Sequence, residues 1–349
     1  MGARPNFVKV APILRAWPAE VPFRLVHTGQ HSSRSMSGIF FEQLGLPPPH
    51  LFLGACTAGG IQQAFERELR TRKYRLVVVI GDVTSAAACA RAAHGRGVSL
   101  AHVEAGLRSG DLRMPEERNR ICADWLSEWL FTTLPSAHRH LRRMGKRAKQ
   151  IVFVGNPMID SLLHHLPQAR PPSGLTLPAD FLLLTLHRPA NADDPQRLGA
   201  LLATIASCSP LPVLFPVHPR TRTRLDRLPG LPDRIRLLPP QPYLEFLYLL
   251  RHARGVLTDS GGVSEEATVL NVPCLSLRER TERPETVSQG TNRLVGNSPA
   301  AISEAVEQLF RHPWKAMAIP TGWDGRAGAR IAQALRGIYA RMDRRRQTV

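Results

Sequence analysis

The sequence predicts an α/β fold of two doubly wound, Rossmann-like domains. Short apolar strands alternate with helical segments along most of the chain, and such alternation with short connections gives parallel sheets. A Pro-rich stretch, Leu166–Pro178, interrupts the pattern, which then restarts as at a domain junction. Several strands end in glycines, acids or arginines, where open α/β sheets place their ligands. At 349 residues the chain is long enough for two domains of ordinary size.

In the first half, Arg24–His27 reads as a short strand and Ser35–Leu44 has helical spacing. The run Leu76–Ile80 has the length and branching of a buried strand. Thr84–His94 reads as a helix of small residues, Ser99–Glu104 as a strand and Pro115–Leu126 as a helix. Trp129–Thr133 and Ile151–Val154 are further strands. After the break come strand Phe181–Leu186, helix Gln196–Ala206, and strands Val213–Pro216 and Ile235–Leu238. Helix Tyr243–His252, strand Gly255–Thr258, helix Val263–Asn271 and strand Cys274–Leu277 complete the pattern. The expected domains are 1–158, carrying acid–base residues, and 176–324, carrying an anion site. A last helix in 325–349 is expected to cross back to the first domain.

A doubly wound domain opens on a strand that feeds its first phosphate loop. Here the loop-like Gly2-Ala3-Arg4-Pro5 follows Met1 directly. The expectation is that the first strand of the N-terminal domain is missing and the sequence truncated at its start.

The formal charge of +18 raises nucleic-acid binding. Only Lys9, Lys73, Lys146, Lys149 and Lys315 are lysines, so the charge is nearly all arginine, scattered as a GC-rich genome would scatter it. Aromatic residues make up 6%, which leaves few stacking platforms. An anionic small substrate is the better expectation, and no nucleic-acid partner is expected. No apolar run is long enough to span a bilayer, and residues 1–20 lack a charged segment followed by an apolar core. Cys56, Cys89, Cys122, Cys208 and Cys274 are scattered without CxxC spacing. That favours a reducing cytoplasm over a disulfide framework or a zinc site.

The candidate site residues lie at strand ends and helix starts. Gly2–Lys9, GARPNFVK, offers Arg4, Lys9 and a helix N-terminus to a phosphate. Thr28–His31, TGQH, follows a strand, and His31 reads as structural. Asp82 follows one buried strand and Glu104 ends another, so two carboxylates converge as general acid–base chemistry requires. Asp82 could equally cap the next helix. Asp111 reads as a solvated turn residue, while Glu116 and Glu117 follow Pro115 in a first helical turn. In the second half, His187 and Arg188 leave one strand in TLHRPAN, and His218 leaves another in PVHPR. TDSGGVSEE, Thr258–Glu266, ends a strand, turns at Ser260-Gly261-Gly262 and starts a helix. Backbone N–H groups and the helix dipole there suit a diphosphate, with Glu265 and Glu266 one turn in. Arg278–Glu285, RERTERPE, and Gly290-Thr291-Asn292 could extend the same wall.

Together GARPNFVK, TGQH, GDVTS, HVEAGLRSGD, MPEERNR, GNPMID, LHRPAN, PVHP, TDSGGVSEE, TERPE and GTNRLVG resemble, in order, the non-hydrolysing UDP-N-acetylglucosamine 2-epimerase family. The resemblance spans nearly the whole chain and implies the two-domain glycosyltransferase-B fold. It implies a UDP-sugar bound between the domains, loss of the C2 proton with expulsion of UDP to give a 2-acetamidoglucal, and re-addition giving UDP-ManNAc. The positions matching the family's acid–base residues are Asp82, Glu104 and Glu116. His187 matches the histidine that helps the departing diphosphate, and Arg4 and Lys9 match phosphate and active-site cations. Ser260, Gly261 and Gly262 match the diphosphate loop, Glu266 the ribose-binding acid and Arg283 a further cleft arginine; His218 joins them as a substrate-binding candidate. No metal or other cofactor is implied, no membrane partner, and a cytoplasmic bacterial homodimer is expected. Ser32-Ser33-Arg34 after TGQH departs from the family's activator-binding pattern, so allosteric activation is not expected. ACTAGG at Ala55–Gly60 lacks the histidine-bearing loop of relatives that share the TGQH…MS…FF segment, and those relatives include enzymes acting on 2,3-diacetamido uronic acid nucleotides. The sugar therefore stays open. A hydrolysing 2-epimerase, and a non-catalytic nucleotide-sugar-binding or nucleic-acid-binding protein, are the alternatives.

Overall fold

All three sheets are parallel, as strand–helix alternation requires. The computed structural model describes residues 1–2, 4–29, 34–315 and 317–347, apart from the side chains of residues 4–5, 34–37, 219–220 and 345–347. The chain forms two compact units: Met1–His164 with Thr321–Val349, and His165–Pro320.

The first unit begins with α1 (Arg4–Arg15), β1 (Val26–His27), α2 (Arg34–Gln43), β2 (Leu51–Phe52) and α3 (Ala58–Thr71). It continues with β3 (Leu76–Ile80), α4 (Thr84–Gly95), β4 (Ser99–Val103), α5 (Pro115–Leu126), β5 (Trp129–Thr132), α6 (Pro135–Arg143), β6 (Ile151–Phe153) and α7 (Pro157–His165). Strands β3-β4-β5-β6 form one sheet in that order, and β1 pairs with β2 in a separate one. Leu76–Ile80 and Pro115–Leu126 form residue for residue where the sequence places them. Helix α3 is the largest element the sequence reading passes over, because Gly59 and Gly60 look like a loop. Thr57 caps it, accepting from the Gly60 N–H at 3.2 Å, and Ile61, Ala64, Phe65 and Leu69 bury its apolar stripe. The alanines of α4 are fully or almost fully buried. Such small side chains let α4 pack closely against β3, α3 and α5, and so bring α5 to the sheet edge.

No strand precedes α1 among the described residues. A cavity of about 690 Å³ lies against β1 and β3, lined by Val10, Ile13, Val26, Val77, Val79 and Ala86 among others.

The second unit contains β7 (Leu182–Thr185), α8 (Pro189–Ala192), α9 (Pro195–Cys208), β8 (Val213–Pro216), α10 (Pro219–Leu225), β9 (Ile235–Leu238) and α11 (Tyr243–His252). There follow β10 (Gly255–Thr258), α12 (Gly261–Val269), β11 (Cys274–Ser276), α13 (Pro284–Ser288), β12 (Asn292–Leu294) and α14 (Pro299–Arg311). Its sheet runs β12-β11-β10-β7-β8-β9. The order reverses beside β7 and β10, the switch point where doubly wound sheets bind ligands. The last helix, α15 (Ala327–Gln347), belongs to the first unit and packs Ile331, Leu335 and Ile338 against Ile13 of α1. No described helix is long and apolar enough to cross a membrane.

Candidate active site

The acids of the first unit gather at the C-terminal ends of β3 and β4. Gly81 follows β3 with φ of +69°, and Glu104 follows β4 with φ of +70°. A left-handed glutamate is rare, and such backbone strain concentrates where function demands it. A Cβ on Gly81 would lie 3.0 Å from Glu104 Oε2 and 3.4 Å from Lys9 Nζ. Gly81 is therefore bare because Glu104 and Lys9 of α1 occupy that space. Lys9 and Glu104 form a buried ion pair, and Asn6 Nδ2 donates to the Ile80 carbonyl oxygen at 2.7 Å, which fixes α1 on β3.

Asp82 does not cap α4; the N-cap there is Val83, without a side-chain bond. Its carboxylate instead meets Arg120, a fully buried side chain of α5, and its carbonyl oxygen accepts from Asn119 Nδ2 at 3.0 Å. Each acid thus faces a cation of its own, which offsets the like-charge repulsion expected from convergence alone. Glu116 is half-buried in the first turn of α5. Glu117 is more than a helix-start residue. It is 2% exposed and accepts from Ser109 N–H at 2.9 Å and Gly110 N–H at 3.3 Å, so it shapes the loop after β4. Asp111 lies in that loop and pairs with exposed Arg113 at 2.9 Å, as a solvated turn residue would. Arg4 opens α1, but its side chain, like all of His31, lies outside the described residues.

The second unit carries most of the candidate anion-binding residues. Ser260 is the N-cap of α12, and Gly261 and Gly262 start the helix two residues earlier than the sequence suggests. A Cβ on Gly261 would stand 2.6 Å from Arg283 Nη1. Arg283 therefore reaches the open end of α12, held by Glu265 and Glu282, each at 2.6 Å. Glu266 is buried and accepts from the Tyr243 hydroxyl at 3.0 Å. Burial pushes its carboxyl up to about 8, against the Tyr243 hydrogen bond, and neighbouring Glu265 adds to the rise. His187 follows β7 with a side chain 44% exposed, and His218 is half-buried where β8 leads into α10.

The shift on Glu266 has a stability consequence with a definite sign. The folded unit keeps a proton up to about pH 8, whereas the unfolded chain releases it near the ordinary 4.5. The folded state binds more protons in that window, so stability falls as pH rises from 4.5 towards 8. Glu266→Gln removes this dependence. Thermal unfolding at pH 5.5 and 8.5 should show the variant losing less stability than the parent as pH rises. Parallel profiles would remove Glu266 as the source.

Asp259 stands inside TDSGG, a position to which the motif by itself assigns no role. The structure makes it the centre of the β7–β10 crevice. Its buried carboxylate accepts from the backbone N–H groups of His187 and Arg188 at 3.2 and 3.0 Å, and from Asn191 Nδ2 at 3.1 Å. It also pairs with His187 Nδ1 at 3.0 Å, which leaves Nε2 as the nitrogen available to a ligand. Burial alone would raise Asp259, but His187, the Arg188 N–H and Asn191 hold it below the usual carboxylate range. Arg120 and Asp124 are likewise missed. Their only local signal is helical spacing from Glu117, since Arg120 lies three and Asp124 seven residues on along one face of α5.

Residues 16–336 match the family model described as UDP-N-acetylglucosamine 2-epimerase. The chain is 39% identical over 360 residues to a UDP-N-acetylglucosamine 2-epimerase of Methanocaldococcus jannaschii, covering 96% of this chain and 97% of the relative. It is 41% identical over 318 residues to a UDP-2,3-diacetamido-2,3-dideoxy-D-glucuronate 2-epimerase of Pseudomonas aeruginosa, covering 87% and 89%. The crystal structure of the M. jannaschii UDP-GlcNAc 2-epimerase in complex with UDP-GlcNAc and UDP superimposes with a TM-score of 0.87, covering 96% of this chain and 97% of that one.

Proposed function

We propose that this chain, which belongs to the UDP-N-acetylglucosamine 2-epimerase family, inverts C2 of a UDP-N-acetylhexosamine, interconverting UDP-GlcNAc and UDP-ManNAc. The observation that carries the reading is the cluster of Asp82, strained Glu104 and buried Lys9 around bare Gly81. A C2 proton beside an acetamido group is not acidic. A base must remove it while the charge of the leaving diphosphate is neutralised. In the first half-reaction the C2–H and C1–O bonds break, a C1=C2 bond forms and UDP departs. In the second a proton reaches the opposite face of C2 and a UDP oxygen returns to C1. Asp82, Glu104 and Glu116 handle the protons, with Lys9 as a cation beside Glu104 and Arg4 as a phosphate cation by its motif position. His187 assists the departing diphosphate, which meets the Ser260-Gly261-Gly262 loop through the N–H groups of Gly261 and Gly262 at the start of α12, the Ser260 N–H being held by Thr258 Oγ1. Arg283 and His218 add to the anion site, and Glu266 binds the ribose. The side chains and backbone supply this chemistry without a metal or nicotinamide. We read the enzyme as the non-hydrolysing type and as a cytoplasmic homodimer, on the strength of the motif resemblance.

A second reading keeps the reaction and changes the sugar. The 41% identity to the P. aeruginosa enzyme favours a UDP-2,3-diacetamido uronate as substrate. One experiment separates the readings: incubation with each nucleotide sugar in heavy water, followed by NMR. Deuterium at C2 and an equilibrium of two UDP-sugars are expected with the true substrate. Free UDP and N-acetylmannosamine would assign the hydrolysing type, and no turnover of either sugar would overturn the enzyme reading.

The diphosphate site gives a subsidiary expectation. Ser260 Oγ accepts from the Val263 N–H at 3.5 Å, a long capping bond. Ser260→Ala should weaken UDP binding only about threefold, because the backbone N–H groups remain. Calorimetry with UDP checks this, and complete loss of binding would give the hydroxyl a larger part.

A further inference from the structure

A buried pair behind the acids, His102 and Asp124, serves none of the roles above. His102 lies on β4 and Asp124 on α5, and both are fully buried. His102 Nδ1 meets Asp124 Oδ1 at 2.7 Å, and its Nε2 meets the carbonyl oxygen of Gly81 at 3.0 Å. Asp124 also accepts from the Gly106 N–H, at 3.1 Å to Oδ2, and pairs with Arg108 at 2.7 Å. Burial would raise Asp124, but His102 and Arg108 hold it below the usual carboxylate range. The ring thus bridges the Asp124 carboxylate and the Gly81 carbonyl.

The connections reach every segment that carries a candidate acid. Gly81 precedes Asp82. Gly106 ends the turn that contains Glu104. Asp124 stands on α5, whose first turn carries Glu116. One carboxylate and one imidazole therefore tie three separate backbone segments together from behind.

We propose that His102 and Asp124 are positioning residues that set the spacing of Asp82, Glu104 and Glu116 for proton transfer at C2. This rests on the reading of those acids as the proton-transfer groups. Proton transfer depends on placement far more steeply than binding does; a misplacement of about 1 Å can cost about a hundredfold in rate. Most of the anion-binding residues proposed for UDP lie in the second unit, and Arg4 and Lys9 stand on α1, which His102 and Asp124 do not tether, so a fault behind the acids should lower kcat and spare KM.

The test uses two substitutions that keep different halves of the link. His102→Gln places an amide N–H at the Nε2 position and can still donate to the Gly81 carbonyl. His102→Asn places it at the Nδ1 position and keeps only the Asp124 contact. Turnover of the nucleotide sugar identified by the heavy-water assay is expected to fall about a hundredfold in kcat for His102→Asn, with KM within about threefold. His102→Gln should stay within about tenfold of the parent. Equal kcat in the two variants, or a KM that rises as kcat falls, would overturn the proposal. Amide hydrogen exchange over residues 81–86 and 104–110 gives a reading independent of turnover. Residues 81–86 should lose protection in His102→Asn, which drops the Gly81 contact, and keep it in His102→Gln, while residues 104–110, held by the Gly106 N–H bond to Asp124, keep theirs in both; unchanged protection of 81–86 in His102→Asn would overturn the tether itself. A parent that turns over neither sugar, yet shows the expected exchange pattern, would reject the enzymatic reading and leave the tether standing.

Discussion

Asp82→Asn is expected to abolish turnover while UDP still binds. Asparagine keeps the shape of the side chain and can still accept from Arg120, and Glu117 remains 4.0 Å from that guanidinium as a counter-charge. The loop should therefore stand. What disappears is the ability to take and return a proton, worth about 10²–10⁴ in rate for a general acid or base. A loss of about 10³-fold or more in kcat is the expected NMR result, with the UDP dissociation constant within about threefold by calorimetry. Turnover within tenfold of the parent would remove Asp82 from the mechanism.

Lys9→Met should produce the largest loss of stability. Lys9 and Glu104 have side chains only 5% and 1% exposed. Methionine fills the stem of the lysine but leaves the Glu104 carboxylate buried without its ammonium. Breaking a buried pair from one side costs about 3–5 kcal/mol. Replacing both partners, Lys9→Met with Glu104→Leu, should recover much of that cost, because no uncompensated charge remains. Urea unfolding of the single and double variants measures the coupling. Additive losses would mean that the pair contributes nothing as a pair. Both variants should be inactive, since each removes a group from the proposed site.

The strands were legible because a buried parallel strand is a local signal: Leu76–Ile80, Val213–Pro216 and Gly255–Thr258 are short, branched or apolar, and bounded by turn residues. Helices with clear ends, such as Pro115–Leu126 and Tyr243–His252, were legible for the same reason. Helix α3 was not, because its glycines lie in the first turn, where Thr57 compensates by capping. Among the candidate site residues, Asp82, Glu104, His187 and Ser260 were visible as polar residues released at strand ends. Asp259 was visible only as part of a motif, since the sequence does not say that its carboxylate points into the crevice.

The alternation of strand and helix and the polar residue types released at strand ends follow from the sequence alone. They depend on period, turn chemistry and residue type, which act within a few residues. The partner of each acid was decided by tertiary structure. Lys9 reaches Glu104 across 95 residues, and Asp82 turns from the helix it could cap to Arg120, 38 residues away. The physical reason is burial. A carboxylate withdrawn from water must find its cation or donor wherever packing delivers one, and only the assembled sheet and helices determine where that is.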